Sequence, residues 1–436
     1  MIFEPELETM PRKELEALQL ELLRRLVAHL RARVPLYRDR LDGAPEIRSL
    51  DDLGTLPMTR KADLRDTYPF GLLAVPREEC VRVHASSGTT GKPIVVAYTR
   101  DDVDLFARVN ARVLAMAGGA PGMTLHNAYG YGLFTGGLGL HYGGERLGMT
   151  VVPVSGGMTE RQLLLIQDLR PDLVTCTPSY ALTLAQAFAE RGVTPDEISL
   201  RFACVGAEPW TEGMRAQIDT GLGIRATNIY GLSEIIGPGV SNECVEAREG
   251  SHVNEDHFLP EIVDPDSGEP LADGEPGVLV LTTLTKQALP LLRYWTGDIT
   301  SLSREPCRCG RTLARMALIA GRTDDMLIVR GVNVYPTQVE SVLLGVPELM
   351  PHYRLVVTRE GTLDEVEVEV EVAESYFHSI GGELESPAVG MLTQRVAELI
   401  RETIGTSMRV RLLTPGYGPR SEGGKLARVD DRRRLE

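Results

Sequence analysis

Ser86-Ser87-Gly88-Thr89-Thr90-Gly91-Lys92-Pro93 gathers glycines, hydroxyls and one lysine directly after the apolar run Val81-Arg82-Val83-His84-Ala85. Accessible backbone N–H groups and Ser/Thr donors in such a stretch suit the oxygens of a polyphosphate. The spacing is not that of a Walker A loop, because Ser86 stands where the first Gly belongs and Pro93 where the closing hydroxyl belongs. A second constellation is metal-ligating. Cys307-Arg308-Cys309-Gly310 reads as a knuckle, and Cys244 and His252 lie eight residues apart upstream, which together make a Cys₃His set suited to tetrahedral Zn²⁺. With all four positions filled, such a zinc is structural and ties the loop after Glu234 to the β-rich region that follows. Cys80, Cys176 and Cys204 sit in apolar runs and read as core, so ordinary thiols are the alternative for the other three cysteines.

Elements of two textures must hold these groups. Apolar residues at helical spacing between Lys13 and Arg40 predict an amphipathic helix on the main body. From Val81 to Tyr230 strand-like runs alternate with helical ones, the rhythm of a βαβ sheet: helices are expected from Asp101 to Gly118, Thr159 to Leu169, Ser179 to Glu190 and near Glu212. After His257, turn dipeptides between short β-branched runs predict an antiparallel meander. A third texture begins near Val329, with a helix from Pro336 to Leu344, a strand over Glu365–Val372 with one buried and one acidic face, and a helix from about Val389 to Ile404. The fold class is therefore α/β, a large N-terminal domain of mixed sheets and helices with a β-rich region, followed by a small α+β domain.

The 436 residues exceed one ordinary core, and 43% hydrophobic with 25% charged residues excludes wholesale disorder. A net charge of -15 repels phosphate backbones and anionic lipid, so neither nucleic acid nor membrane is an expected partner. No run is apolar enough to span a bilayer, the first residues lack the pattern of a secretory signal, and six cysteines are too few for a disulfide scaffold. The expected location is cytoplasmic.

Further motifs follow the Gly/Thr loop in order: Tyr230-Gly231-Leu232-Ser233-Glu234, Tyr294-Trp295-Thr296-Gly297-Asp298, Gly321-Arg322-Thr323-Asp324-Asp325-Met326, Arg330-Gly331-Val332-Asn333-Val334-Tyr335-Pro336 and Gly423-Gly424-Lys425. This set resembles the adenylate-forming superfamily of acyl-CoA synthetases. Within it, the stretches HASSGTTGKPIVVAYT, YGYGLFTGGLGLHYG, YGLSEIIGPGV and PCRCGRT resemble the phenylacetate-CoA ligases. Trp295 is a departure, since that family usually carries Arg there.

The resemblance implies a large domain over residues 1–323, a hinge at Asp324 and a mobile lid over 325–436. It implies that an aryl acid, most simply phenylacetate, attacks the α-phosphate of ATP, and that the CoA thiol then displaces AMP. Lys425 would bridge acid and α-phosphate in the first step. Glu234 would hold Mg²⁺, Ser233 would donate to the α-phosphate, and Ser86, Ser87, Gly88, Thr89, Thr90, Gly91 and Lys92 would wrap the phosphates. Tyr230, beside Gly231, would stack on adenine opposite Ala207, Glu208 and Pro209, while Asp298 and Arg322 would serve the ribose. Rotation about Asp324 would withdraw Lys425 and bring Arg330, Gly331, Val332 and Asn333 to the CoA tunnel. Tyr129, Tyr131, Phe134, Gly136, Gly137, Gly139 and His141 would line the aryl site, with plain core packing as the alternative for the aromatics. A homodimer is a family-level expectation. Other readings are an enzyme that loads a carrier protein, a ligase for indoleacetate, hydroxyphenylacetate or benzoate, and a regulator that has lost catalysis; retention of Lys425, Glu234 and Asp298 together speaks against the last.

Overall fold

The protein, as a computed structural model, is described at residues 1–86, 93–323, 327–329, 332–360, 363–420 and 427–433. Among these, one mixed sheet of nine strands organises the larger part of the chain. Thr150–Val152, Thr124–Asn127, Leu173–Cys176, Phe202–Gly206 and Arg225–Leu232 run parallel in that spatial order. Beyond Arg225–Leu232 the pairing turns antiparallel, through Gly237–Glu243, Ser251–Val253, Arg315–Met316 and Leu302–Ser303. Helices Thr159–Leu169, Pro178–Glu190 and Glu212–Leu222 fill the crossovers of the parallel half, as the alternation of runs predicts. Their apolar stripes bury Leu163, Ile166, Tyr180, Leu184, Met214 and Ile218 in one core with Val174, Ala203 and Val205 of the sheet.

Two expectations need correction, and one helix was not anticipated. Val81–Ala85 does not enter the main sheet: Arg82–Ala85 pairs antiparallel with Val95–Tyr98 as a separate ribbon. The helix expected over Lys13–Arg40 is two, Arg12–Arg33 and Pro35–Arg40, because Pro35 offers no N–H and Val34 takes an extended conformation before it. The Gly-rich stretch after Phe134 holds a helix, Gly136–Leu147, packed closely on helix Arg100–Met116. A Cβ at Gly139 would come within 2.5 Å of the Phe106 ring and one at Gly143 within 2.5 Å of Asn110, so this close packing requires their bare backbone despite its helix cost.

The region after His257 forms the expected antiparallel sheet, Phe258–Val263, Gly277–Thr283, Tyr294–Thr300 and Gly321–Arg322. In the C-terminal part, Leu363–Val372 lies between Arg409–Leu413 and Leu349–Glu360, with Val429–Asp431 at the edge. Helices Pro336–Leu344 and Pro387–Ile404 pack on the valine face of Leu363–Val372, where Val366, Val368, Val370 and Val372 are buried. Its acidic face is neutralised by arginine: Glu369 accepts from Arg354 at 2.6 Å, and Glu371 accepts from both terminal nitrogens of Arg420 at 2.7 and 2.8 Å. Among the described residues no helix is long and apolar enough to cross a membrane.

Candidate active site and metal centre

The candidate nucleotide residues gather at the carboxyl ends of the parallel strands, where the sheet changes from parallel to antiparallel. Strands there end side by side and the crossover chains diverge, which leaves a crevice. Phe202–Gly206 delivers Ala207, Glu208 and Pro209, and Arg225–Leu232 delivers Tyr230, Gly231, Ser233 and Glu234. Ala207 has φ of 70°, an uncommon conformation for a residue with a Cβ. Glu208 accepts from the Ser179 hydroxyl at 3.0 Å.

Three motifs far apart in the chain converge on Asp298. The Tyr230 hydroxyl donates to Asp298 Oδ2 at 2.6 Å, and Arg322 Nη1 donates to Asp298 Oδ1 at 2.7 Å. Arg322 Nη2 reaches the Thr296 carbonyl at 3.3 Å, while the Thr296 hydroxyl accepts from the Asp298 N–H at 3.0 Å. The register that pairs Asp298 with Arg322 across neighbouring strands makes this contact local in space. Burial and then the Asp298 charge hold the Tyr230 phenol well above its usual range, so it stays a donor. Glu234, mostly buried, lies beside Tyr294, whose phenol is likewise pushed up by burial first and the Glu234 carboxylate second. Trp295 packs on Val263, Val278 and Val280 with the Arg60 guanidinium 4.3 Å from its ring centroid, a cation–π contact at a position where the family usually has Arg.

Ser86 closes the Arg82–Tyr98 ribbon, donating its N–H to the Ile94 carbonyl at 2.9 Å. Ser87, Gly88, Thr89, Thr90, Gly91 and Lys92 lie outside the described residues, as do Asp324, Arg330, Gly331 and Lys425. Val332 and Asn333 are placed in the strand Val332–Val334, paired with Leu327–Val329.

The aromatic stretch divides. Tyr129 is buried and donates to the Gly206 carbonyl at 3.1 Å, supporting the strand end that leads to Ala207. Tyr131 is half-buried; its hydroxyl accepts from Asn127 at 2.8 Å and lies 3.2 Å from His141 Nδ1. Phe134 is partly buried, and Gly136 and Gly137 begin the helix beside it. Thr135 Oγ1 lies 3.5 Å from Ser233 Oγ, which sets this stretch against the turn that carries Glu234.

Away from the cleft, Cys244, His252, Cys307 and Cys309 place their four ligand atoms within 4.8 Å of one another. The antiparallel pairing of His252 with Arg315 brings the knuckle to Ser251–Val253, and Gly310, at φ of 89°, lets the knuckle turn. Cys244 Sγ lies 3.7 Å from Cys307 Sγ, and Cys309 Sγ lies 3.4 Å from His252 Nε2. Sulfur ligands at about 2.3 Å from a tetrahedral ion stand about 3.8 Å apart, so these separations fit one ion. Hydrogen bonds from Cys244 and then His252 hold the Cys309 thiol well below its usual range.

Two residues given no role in the sequence analysis support these sites. Buried Arg311 donates to Glu8 at 2.6 Å and also contacts the Cys309 thiol, tying the knuckle to the short helix Pro5–Glu8. Lys286, 3% exposed, donates to the Glu234 carbonyl at 3.1 Å, and burial pushes its ammonium down to about 8. A lysine within the apolar run from Val278 to Leu292 is the signal that could have marked it.

Residues 51–284 match the model of the AMP-binding enzyme family, and residues 331–433 match that of the AMP-binding enzyme C-terminal domain. The chain is 65% identical to a phenylacetate-coenzyme A ligase of Thermus thermophilus, with 100% of each covered. Among solved structures it is similar, at 27% identity over 99% of this chain and 92% of the other, to 2-hydroxyisobutyryl-CoA ligase in the postadenylation state, with a TM-score of 0.91. Against that enzyme in the thioesterification state, at 28% identity and the same 99% and 92% coverage, the TM-score is 0.72. The ordered motifs, their meeting at Asp298 and the full-length identity have one reading: the chain belongs to the phenylacetate-coenzyme A ligases of the AMP-binding enzyme family.

Proposed function

We propose that the chain joins phenylacetate to CoA through phenylacetyl-adenylate, releasing pyrophosphate in the first step and AMP in the second. The observation that carries the reading is the meeting of Tyr230, Asp298 and Arg322 beside the Ser233-Glu234 turn, in a chain 65% identical to a phenylacetate-coenzyme A ligase. Asp298 accepts from the ribose hydroxyls, Arg322 orients Asp298, and Tyr230 offers its ring to adenine against Ala207, Glu208 and Pro209. Ser233 and the loop from Ser86 to Lys92 donate to phosphate oxygens.

Lys425 sits between the carboxylate of the acid and the α-phosphate, lowering the repulsion between two anions that must approach within bonding reach. The carboxylate of Glu234, on the turn that follows Tyr230, suits a hard cation and would hold Mg²⁺, which would supply charge neutralisation for the phosphates. Tyr131, Phe134 and His141, with Gly136 between, form the aryl wall, while Tyr129 serves mainly as its support. Rotation at Asp324 exchanges Lys425 for Arg330, Gly331, Val332 and Asn333 along the path of CoA. The higher TM-score to the postadenylation state than to the thioesterification state supports reading this orientation of the small domain, residues 325–436 by our division, as the one that follows adenylate formation.

Cys244, His252, Cys307 and Cys309 hold a structural Zn²⁺, whose bonds fix the knuckle and take no part in acyl transfer. A homodimer in the cytoplasm, where CoA and reduced thiols coexist, completes the proposal; sedimentation and cell fractionation test it. Transfer to a carrier protein is disfavoured by relatives whose names specify coenzyme A. The decisive experiment is acid-dependent pyrophosphate exchange over aryl and alkyl acids, followed by addition of CoA. Phenylacetate should be used far better than octanoate and free CoA should yield thioester; exchange with octanoate as strong as with phenylacetate would remove the aryl assignment.

A further inference from the structure

The turn that carries Ser233 and Glu234 is gripped by two side chains given no role in the sequence analysis, Lys286 and Tyr98. Lys286 Nζ donates to the Glu234 carbonyl at 3.1 Å, and the Tyr98 hydroxyl donates to the Ile236 carbonyl at 2.9 Å. The two struts touch, since Lys286 Nζ lies 5.2 Å from the centroid of the Tyr98 ring. Both are anchored. Tyr98 ends the strand Val95–Tyr98 of the ribbon whose other end holds Ser86. The backbone after Lys286 is fixed by Asp102, whose carboxylate accepts from Gln287 N–H at 2.7 Å and Ala288 N–H at 2.8 Å. The same carboxylate accepts from Thr99 N–H at 3.0 Å, closing the capping box of helix Arg100–Met116. Ribbon, helix cap and Glu234 turn are thus joined through Lys286.

Packing alone is a poor account of this lysine. Lys286 is 3% exposed, and among the described residues the charges of Asp102 and Glu234 act on it without either carboxylate standing within ion-pair distance. A buried ammonium without a paired carboxylate is costly, and an apolar residue of similar volume would fill the space with less penalty. The charge has a use where it is aimed, at the carbonyl of the residue that faces the phosphates.

We propose that Lys286 is a positioning residue for adenylate formation, which locks the Glu234 turn to the ribbon of the phosphate loop so that Glu234 and Ser233 meet the triphosphate in one geometry. This rests on the assignment of Glu234 to Mg²⁺ and phosphate. Positioning contributes only in the step whose groups are positioned, and adenylation is the step that uses the triphosphate.

The test compares Lys286→Met, Lys286→Gln, Glu234→Gln and the double variant Glu234→Gln/Lys286→Met in the full-length enzyme. Two reactions are measured, phenylacetate-dependent pyrophosphate exchange over a titration of MgATP, and thioester formation from supplied phenylacetyl-adenylate and CoA. Lys286→Met should lower kcat/KM for MgATP about 10- to 100-fold and leave thioester formation within about threefold. Lys286→Gln, which keeps an N–H donor, should recover a large part of the loss. Adding Lys286→Met to Glu234→Gln should cost little more than Glu234→Gln alone, because residues acting through one contact are non-additive. Equal loss in both reactions, or multiplicative effects in the double variant, would overturn the inference. Should Lys286→Met fail to fold, Lys286→Ala takes its place in both the single and the double variant. If Glu234→Gln leaves the Mg²⁺ dependence intact, the Glu234 assignment is what fails; if it removes that dependence while both lysine variants behave as wild type, only the Lys286 inference fails.

Discussion

Asp298 accepts from two side chains, 68 and 24 residues away in sequence, and that shared acceptor gives the clearest residue-level expectation. Hydrogen bonds involving a charged partner contribute about 1.5–3 kcal/mol each. Asp298→Ala removes the proposed ribose acceptor and one partner of Arg322, so KM for ATP in pyrophosphate exchange should rise about 10- to 100-fold. A KM unchanged within about twofold would take Asp298 out of nucleotide binding. The single-letter pattern Tyr-Trp-Thr-Gly-Asp marked the aspartate but carried no hint of Tyr230 as its donor, because that contact crosses from one sheet to the other. A second expectation concerns His257, buried against Asp256 and Arg112, where desolvation pushes its ring down to about 4. A depressed histidine is neutral in the folded state, while the unfolded chain takes up a proton near pH 6.5. Its contribution is therefore fully present above pH 6.5 and is lost as pH falls toward 4. The urea midpoint should drop across that window, and His257→Gln should flatten the drop; a midpoint independent of pH there would show that His257 protonates freely in the native state.

At the scale of elements, sequence periods and tertiary demands agree for most helices and part where glycine is involved. Thr159–Leu169 and Pro336–Leu344 occupy the predicted spans because their apolar stripes and their bounding residues point the same way. Gly136–Leu147 was not legible, since five glycines in twelve residues argue against a helix unless a neighbour needs their bare backbone, as Phe106 and Asn110 do. The knuckle and its partners Cys244 and His252 were named from their residue types, and the pairing of His252 with Arg315 is what brings one of those partners to the knuckle. If the four side chains hold zinc, the purified protein carries about one equivalent. Chelation or Cys309→Ser should then lower the melting temperature by more than about 5 °C while the rate per folded molecule stays within about twofold. Metal analysis that finds no zinc in protein prepared without chelator would return these residues to ordinary thiols.

For the whole molecule, the question is how one cleft serves two steps. The small domain touches the large one through the Thr337 hydroxyl, which donates to the Ala320 carbonyl at 2.6 Å, and through Tyr335 packed on Gly321. Among the described residues a cleft of about 590 Å³ lined by Trp210, Thr211, Leu318, Thr337 and Leu344 lies beside these contacts, and Glu340, hydrogen-bonded to Thr211, and Leu344, packed near Gly213, add to what a rotation must break. Lys425→Ala should lower adenylation by about 10²- to 10³-fold, as loss of a preorganised charge does, and leave thioester formation from supplied adenylate nearly intact. Asp324→Pro fixes φ at the proposed hinge and should separate the two half-reactions, sparing one and stopping the other. Loss of both in the lysine variant, or of neither in the proline variant, would contradict rotation at this place.

What the sequence determined by itself was local: the Gly/Thr loop, the ordered motifs that identify the family, the period of most strands and helices, and the alternating faces of Leu363–Val372. Such features follow from neighbouring residues alone, since period and turn chemistry act over a few positions. What only the tertiary structure decided was which distant residues share a carboxylate, a sulfur or a carbonyl: Tyr230 and Arg322 on Asp298, Arg311 on Cys309, Lys286 on Glu234. Strand order and register set those meetings, and they depend on how whole faces pack, which no short window of sequence contains.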